Sequence, residues 1–325
     1  MRETSAYGQS LREDAPGLAG LALSTSAGEL RIEGLPLLMG IVNATPDSFS
    51  DAGLEQTVDA RVALARRLLA DGAALIDVGG ESGVTNRPPV EAAEEIERVV
   101  PLISRIVTEL GARVSVDTYK PEVARAAITA GASIVNDVSG LRDPELADVC
   151  ARTGAALVVM HTIAPPKQRL HDHRLDATIV DDVRRFLHDR IELALERGVR
   201  FEQLIVDPGP DFSKTPAQTI AVLRALPSLC ELRRPVLLAA SRKDFVGALT
   251  GRGPQERLAG TLAALAHGVD AGARILRVHD VAAAADFLAV RAALGTDVEV
   301  DPALSLSDGL RWAQADAVGA RRATR

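Results

Sequence analysis

Cysteine is nearly missing. Cys150 and Cys230 are the only two in 325 residues. Both sit in apolar, helix-like patterns and read as small core residues in a reduced cytoplasm. No apolar run reaches the roughly 18 residues that a membrane span needs. The opening MRETSAYGQSLREDAPG lacks the basic-then-apolar layout of a secretory signal. Basic charge is not in excess: 37 Lys plus Arg against 44 Asp plus Glu give a net charge of −7. That argues against nucleic acid or an anionic membrane as the main partner. No His/Cys/Asp spacing suggests a structural zinc or a dedicated metal cage. Lysine is also scarce. Lys120, Lys167, Lys214 and Lys243 are the only lysines among the 37 basic residues.

The content that remains is ordinary for a globular protein, with 47% apolar and 25% charged residues. Eight short apolar runs recur: LPLLMGIVN (35–43), ALIDVGG (74–80), RVSVDTY (113–119), SIVNDVSG (133–140), ALVVMHT (156–162), QLIVDPG (203–209), PVLLAAS (235–241) and RILRVHD (274–280). They are nearly continuous, as expected for strands buried on both faces of a parallel sheet. Segments of helical period lie between them, several ending in glycine (Gly72, Gly131, Gly198, Gly272). Eight strand–helix units predict a single-domain (β/α)8 TIM barrel. An open doubly wound sheet is the runner-up, and it lacks the GxGxxG that should follow its first strand. The barrel is expected over 31–295. Residues 1–30 read as a partly disordered extension, with STSAGELRIEG as a hairpin closing the barrel bottom. Residues 296–325 read as a tail with a short helix in LRWAQADAVGARR.

Every strand ends in polar or ionisable residues. The tips carry Asn43, Glu81 with Ser82, Asp117, Asn136 with Asp137, His161, Asp207, Ser241 with Lys243, and Arg277 with His279. In a barrel these converge on one face, where such folds place their sites. One polar tip is usually a turn or cap residue. Eight together are costly to desolvate unless a ligand or an internal network satisfies them. All four lysines follow a strand within a few residues, which agrees. Asp117, Asn136 and Asp207 suit the donor and acceptor edge of a flat heterocycle. Lys243, Arg277, His279 and Arg87 offer positive charge for a phosphate or diphosphate. Asn43 is a neutral oxygen suited to a hydrated Mg²⁺ carried by phosphates. His161 reads equally well as a core or a functional histidine. NATPDSFSDAG (43–53) and ESGVTNRPPV (81–90) are candidate lids over the barrel mouth.

These stretches resemble the dihydropteroate synthases of the pterin-binding enzyme family, over roughly residues 35–293. The resemblance rests on MGIVNATPDSFSDAG, GAALIDVGGES, VSVDTYKPEVARAAITAGASIVNDVSG, VVMH, IVDPG, SRKDFVG, ERLAGTLA and RVHD, in family order. It implies a transferase of folate biosynthesis that joins a hydroxymethyl-dihydropterin diphosphate to 4-aminobenzoate, with Mg²⁺ as cofactor. The expected partners are small-molecule substrates, with no nucleic acid and no membrane, in a cytoplasmic homodimer. By position, Asp117, Asn136, Asp207 and Lys243 would hold the pterin, with Met160 and Phe212 beside it. Asn43, Arg87, Arg277 and His279 would hold diphosphate and Mg²⁺. Phe49, Thr85, Pro88 and Ser241 would border the aminobenzoate. Asp117, Asp207 and Lys243 would be catalytic.

The chain departs from the family pattern in three places. DPGPDFSKT stands for DPGxGFGK, with Asp211 and Ser213 at glycine positions. ESGVTNRPP is about three residues longer than ESTRPG, and MHTIAPPK replaces MHMxGxP. Asp211 is expected to add negative charge where aminobenzoate approaches. A paralogue with a different acceptor, and a non-catalytic pterin-binding protein, therefore stand as alternatives.

Overall fold

The computed structural model describes residues 21–45, 57–83, 88–168, 170, 172–295, 298–307 and 310. An antiparallel hairpin of β1 (Ala22–Thr25) and β2 (Gly28–Arg31) leads into eight parallel strands. These are β3 (Leu37–Asn43), β4 (Leu75–Gly79), β5 (Val114–Asp117), β6 (Ile134–Asp137), β7 (Ala156–Met160), β8 (Leu204–Asp207), β9 (Leu237–Leu238) and β10 (Ile275–Val278). Each lies inside one of the eight apolar runs. The paired order is β8-β7-β6-β5-β4-β3-β10-β9. The ends meet where Val206 pairs with Val236 and its N–H donates to Pro235 O at 3.0 Å, which brings the sheet round into a barrel.

The outer layer holds α1 (Val58–Ala70), α2 (Ala92–Leu110), α3 (Pro121–Thr129), α4 (Glu145–Thr153), α5 (Ile179–Glu196), α6 (Pro216–Arg224), α7 (Pro227–Cys230), α8 (Asp244–Thr250), α9 (Leu258–Asp270) and α10 (Val281–Leu294). Local chemistry sets their ends. Thr57 accepts from Ala60 N at the start of α1, and Thr215 with Gln218 forms a capping box on α6. Gly72 and Gly131 follow α1 and α3 with positive φ, the conformation that stops a helix.

Strand parity divides the core in two. Met39, Leu75, Ile134, Ala156, Val158, Ile205, Leu237 and Ile275 fill the barrel interior. The alternate residues, among them Val42, Val78, Val116, Val135, Val159 and Val206, pack outward under the helices. The hairpin joins the interior: Leu23 and Ile32 are buried in the same inner cluster. Arg113 clamps its turn, donating to Thr25 Oγ1 at 3.1 Å and Glu29 O at 2.9 Å. Residues 22–30 are thus physically part of the barrel floor. The expected helix in LRWAQADAVGARR lies outside the described residues, apart from Leu310.

Candidate active site

The inward phase of each strand continues to its tip. Ile134 faces the interior, so Asn136 does too; Val158 carries Met160, Ile205 carries Asp207, and Ile275 carries Arg277. The same rule aims Asn43, Asp77, Asp117 and Ser241 inward. It aims Asp137 and His161 outward. Asp137 is fully buried and accepts from its own loop, from Ser139 N at 2.7 Å and from Leu141 N. His161 packs edge-on against Phe186 and shares a hydrogen bond with Asp182 at 3.2 Å. Burial pushes its pKa down to about 4, so it is a neutral core histidine. These two tip residues brace the loops and do not belong to the site.

Arg277 organises the interior. Its Nε donates to Asp77 Oδ2 at 2.6 Å and its Nη2 to Asp117 Oδ2 at 2.9 Å. Asn136 Nδ2 leans on both oxygens of Asp77, at 3.3 and 3.4 Å. Burial opposes the guanidinium charge, but the two carboxylates outweigh it and hold the Arg277 pKa above its ordinary value. Burial pushes Asp117 above the usual carboxylate range, with Arg277 opposing and Asp77 adding. Its side chain keeps 21% of its surface exposed, which tempers that rise. Asp77 was not among the residues expected at the site. Its signal is a carboxylate in the middle of an apolar strand run, where an unpaired charge would be prohibitive. Arg277, expected to serve a diphosphate, has two of its donors already committed to acids.

The loop after β8 supplies the opposite wall. Asp207 is almost fully buried and accepts Gly209 N at 2.7 Å; burial pushes its pKa up to about 6. Gly209 has φ 63°, and a Cβ there would come within 2.1 Å of His161 O, so only glycine fits. Lys214 reaches back under the turn and donates to Gly209 O at 2.9 Å, His161 O at 3.2 Å and Phe212 O at 3.2 Å. The turn presents Phe212, and Lys243 Nζ lies 4.2 Å from the centre of its ring. Burial lowers the Lys243 pKa, while Asp211 and Asp207 favour its charge.

Asp211 and Ser213 take φ values of 64° and 51°, so the loop keeps the left-handed backbone that glycine would adopt. The Asp211 carboxylate accepts from Thr219 Oγ1 at 3.0 Å and from Phe245 N at 3.0 Å, and its charge acts on Lys243. One expectation needs correction: His279, expected as a cation. Burial, with Arg277 and Arg242 nearby, pushes its pKa down to about 3. Ser241 Oγ accepts His279 N at 3.2 Å and lies 3.0 Å from His279 Nδ1. In the Nε2–H tautomer the Ser241 hydroxyl donates to Nδ1, and the imidazole keeps a neutral donor.

Asn43 and His279 line one cavity of about 330 Å³ with Arg67, Arg242 and Asp280. No group of three His, Cys, Asp or Glu that could hold a metal occurs among the described residues. Asn43 offers a neutral side-chain oxygen of the kind that fits a Mg²⁺ bound mainly by phosphates and water. All four lysines do sit at this end of the barrel, but only Lys243 meets the inward tips. Lys120 pairs with Glu81 and Glu95, and Lys167 with Glu81. Pro88 lies on the loop after β4, while Phe49, Thr85 and Arg87 are outside the described residues.

Known relatives share sequence and fold with this chain. Residues 39–279 match the family described as pterin binding enzyme. The chain belongs to the pterin-binding enzyme family. Dihydropteroate synthase of Bacillus subtilis is 42% identical over 246 residues, 75% of this chain and 84% of that one. The Xanthomonas albilineans dihydropteroate synthase solved with 4-aminobenzoic acid is 44% identical with a TM-score of 0.78, covering 84% of this chain and 98% of that one. The same enzyme in complex with 7,8-dihydropteroate is 45% identical with a TM-score of 0.73, over 82% and 96%.

Proposed function

We propose that this protein is a dihydropteroate synthase: it condenses 6-hydroxymethyl-7,8-dihydropterin diphosphate with 4-aminobenzoate, forming 7,8-dihydropteroate and releasing diphosphate. The observation that carries the reading is the convergence of Asp117, Asn136, Asp207, Lys243 and Arg277 on one barrel mouth within a family fold. Asp117, Asn136, Asp207 and Lys243 hold the pterin ring, with Met160 and Phe212 against its faces. Arg277 through its remaining Nη1, His279 through Nε2–H, Asn43 and Arg87 receive the diphosphate. Phe49, Thr85, Pro88 and Ser241 border the aminobenzoate.

The bond between the pterin methylene and the diphosphate oxygen breaks, and its electron pair leaves with diphosphate. The arylamine lone pair forms the new C–N bond, and the surplus proton on nitrogen passes to water or to diphosphate. Positive charge growing on the pterin methylene is stabilised by the carboxylates of Asp117 and Asp207. Lys243 binds the ring edge and holds the ligand in line for attack. A Mg²⁺ riding on the diphosphate, with Asn43 as its protein oxygen, would neutralise leaving-group charge. The altered-acceptor alternative rested on the three changed loops; the dihydropteroate synthases that are 42–45% identical over most of the chain favour the synthase reading.

The working unit is a homodimer in the cytoplasm. Leu249 is 68% exposed on α8 and Val290 59% exposed on α10, apolar surface that a second copy would cover. Both cysteines are free, and no described helix is long and apolar enough to cross a membrane. The test is an assay with both substrates that follows diphosphate and dihydropteroate separately. Equal formation of both supports the synthase. Diphosphate without dihydropteroate, or neither product despite tight pterin binding, overturns it. Sedimentation at micromolar concentration reads the dimer.

A further inference from the structure

The three places where the sequence leaves the family pattern lie in one chain of contacts. The loop after β7 carries Thr162, Ala164 and Lys167. On one side Ala164 N donates to Ser213 Oγ at 3.2 Å, which ties it to the loop after β8. In the middle Arg142 Nη2, from the loop after β6, donates to Ile163 O at 2.8 Å. On the far side Lys167 Nζ reaches Glu81 Oε1 at 3.0 Å and donates to Ser82 O. The strand order is β8-β7-β6-β5-β4, so this segment runs along the rim past the tips of β6 and β5, where Asn136 and Asp117 lie.

Glu81 is the receiving post. It opens the loop after β4, and its Oε2 accepts Val90 N at 3.2 Å, which closes the neck of that loop. It also takes Lys120 Nζ and the Tyr119 hydroxyl at 3.2 Å. Its side chain is 6% exposed and that of Lys167 is 11% exposed. Burial works to raise the Glu81 pKa, yet the bonds from Lys120 and Lys167 win and lower it. Glu95 already draws on Lys120, so Glu81 shares that cation and depends on a second.

We propose that Lys167 is a positioning residue: with Ser213 at its other end it makes the loop after β7 a strap that fixes the neck Glu81–Val90, and so places Pro88 and the acceptor side of the site relative to the pterin pocket. The proposal rests on the synthase reading for its kinetic consequence, but the strap itself exists without substrate. It accounts for the three departures together. A longer loop after β4 needs an added tether, the altered loop after β7 supplies the lysine, and Ser213 anchors the strap's base.

The test uses Lys167→Ala and Lys167→Arg in the full chain. Lys167→Ala should raise the KM for 4-aminobenzoate about tenfold, the share of a lost charge-assisted hydrogen bond. KM for the pterin diphosphate should stay within about twofold, and Lys167→Arg should recover most of the loss. Hydrogen exchange in the ligand-free protein supplies an independent readout: the Val90 amide should exchange at least about fivefold faster in Lys167→Ala. Unchanged exchange at Val90 overturns the strap whatever the enzyme does. Faster exchange with both KM values rising together also overturns it, since a general loosening would do that. If the wild type makes no dihydropteroate, the function reading fails while the exchange result still decides the strap.

Discussion

Asn136 and Asp137 are adjacent in the chain and serve opposite sides of the barrel wall. Asn136 enters the interior and leans on Asp77; Asp137 turns out and caps its own loop through Ser139 N and Leu141 N. Truncating them should separate function from stability. Asp137→Ala leaves two buried N–H groups without an acceptor, so it should destabilise the fold by about 2–4 kcal/mol in a denaturant titration. Its KM values should be near normal at a temperature where it stays folded. Asn136→Ala should weaken pterin diphosphate binding at least about tenfold, with a loss of stability under about 1.5 kcal/mol. Equal stability loss in both would contradict the parity argument.

Asp77 is the fully buried one of the two carboxylates that hold Arg277. Removing one member of a buried ion pair costs about 3–5 kcal/mol, because the other charge is left behind. Asp77→Ala should therefore unfold at markedly lower denaturant. Asp77→Asn keeps the shape and an acceptor oxygen but loses the charge, and should fold. Its turnover should drop at least about tenfold, since Arg277 then leans on Asp117 alone and pulls that carboxylate from the pterin. Wild-type turnover in Asp77→Asn would show that the charge of Asp77 on Arg277 is incidental to catalysis.

How legible was this in the sequence? The barrel was, because strands buried on both faces leave nearly unbroken apolar runs, and all eight runs hold a strand. The mouth residues were visible as polar breaks at the end of those runs. Parity was latent in the same letters: Ile134 and Asn136 share a phase, as do Val158 and Met160, which sets His161 apart. What could not be read depends on distant partners. Asp77 meets Arg277 across 200 positions. Asp211 is held by Thr219 and Phe245, and the charge of His279 is set by Arg277 and Arg242. Those are consequences of closure, and no local pattern encodes them.

Asp207 gives a pH prediction whose sign is fixed. Its folded pKa, about 6, lies above the ordinary 3.8, so the folded protein binds this proton more tightly than the unfolded chain. The stabilising contribution is fully present below pH 3.8 and is lost as pH rises through 6. At pH 8 the ionised group therefore costs about 2–3 kcal/mol. Asp207→Asn should melt higher than wild type at pH 8, with the gap closing toward pH 4. The same substitution should remove at least about a hundredfold of activity, because the ionised carboxylate is what binds the ring and steadies the methylene. In the wild type kcat/KM for the pterin diphosphate should fall as pH drops below about 6. A melting difference that grows toward acid would refute the assignment of the raised pKa.

Ser241 and His279 give the last prediction. The serine oxygen accepts His279 N–H and lies 3.0 Å from Nδ1; donating there, the hydroxyl would select the tautomer that keeps Nε2–H for the anion. Ser241→Ala removes that selection without removing the imidazole. Diphosphate binding to the free enzyme should weaken about tenfold, the scale of one misplaced hydrogen bond to a charged ligand. Nitrogen-15 NMR of the imidazole should show mixed tautomers in Ser241→Ala and one in the wild type. The His279 pKa, near 3 in the free enzyme, should rise when diphosphate binds, because a nearby anion favours the imidazolium. An imidazole already protonated at pH 6 in the free wild type would break the argument, for then burial and the neighbouring arginines would not control its charge.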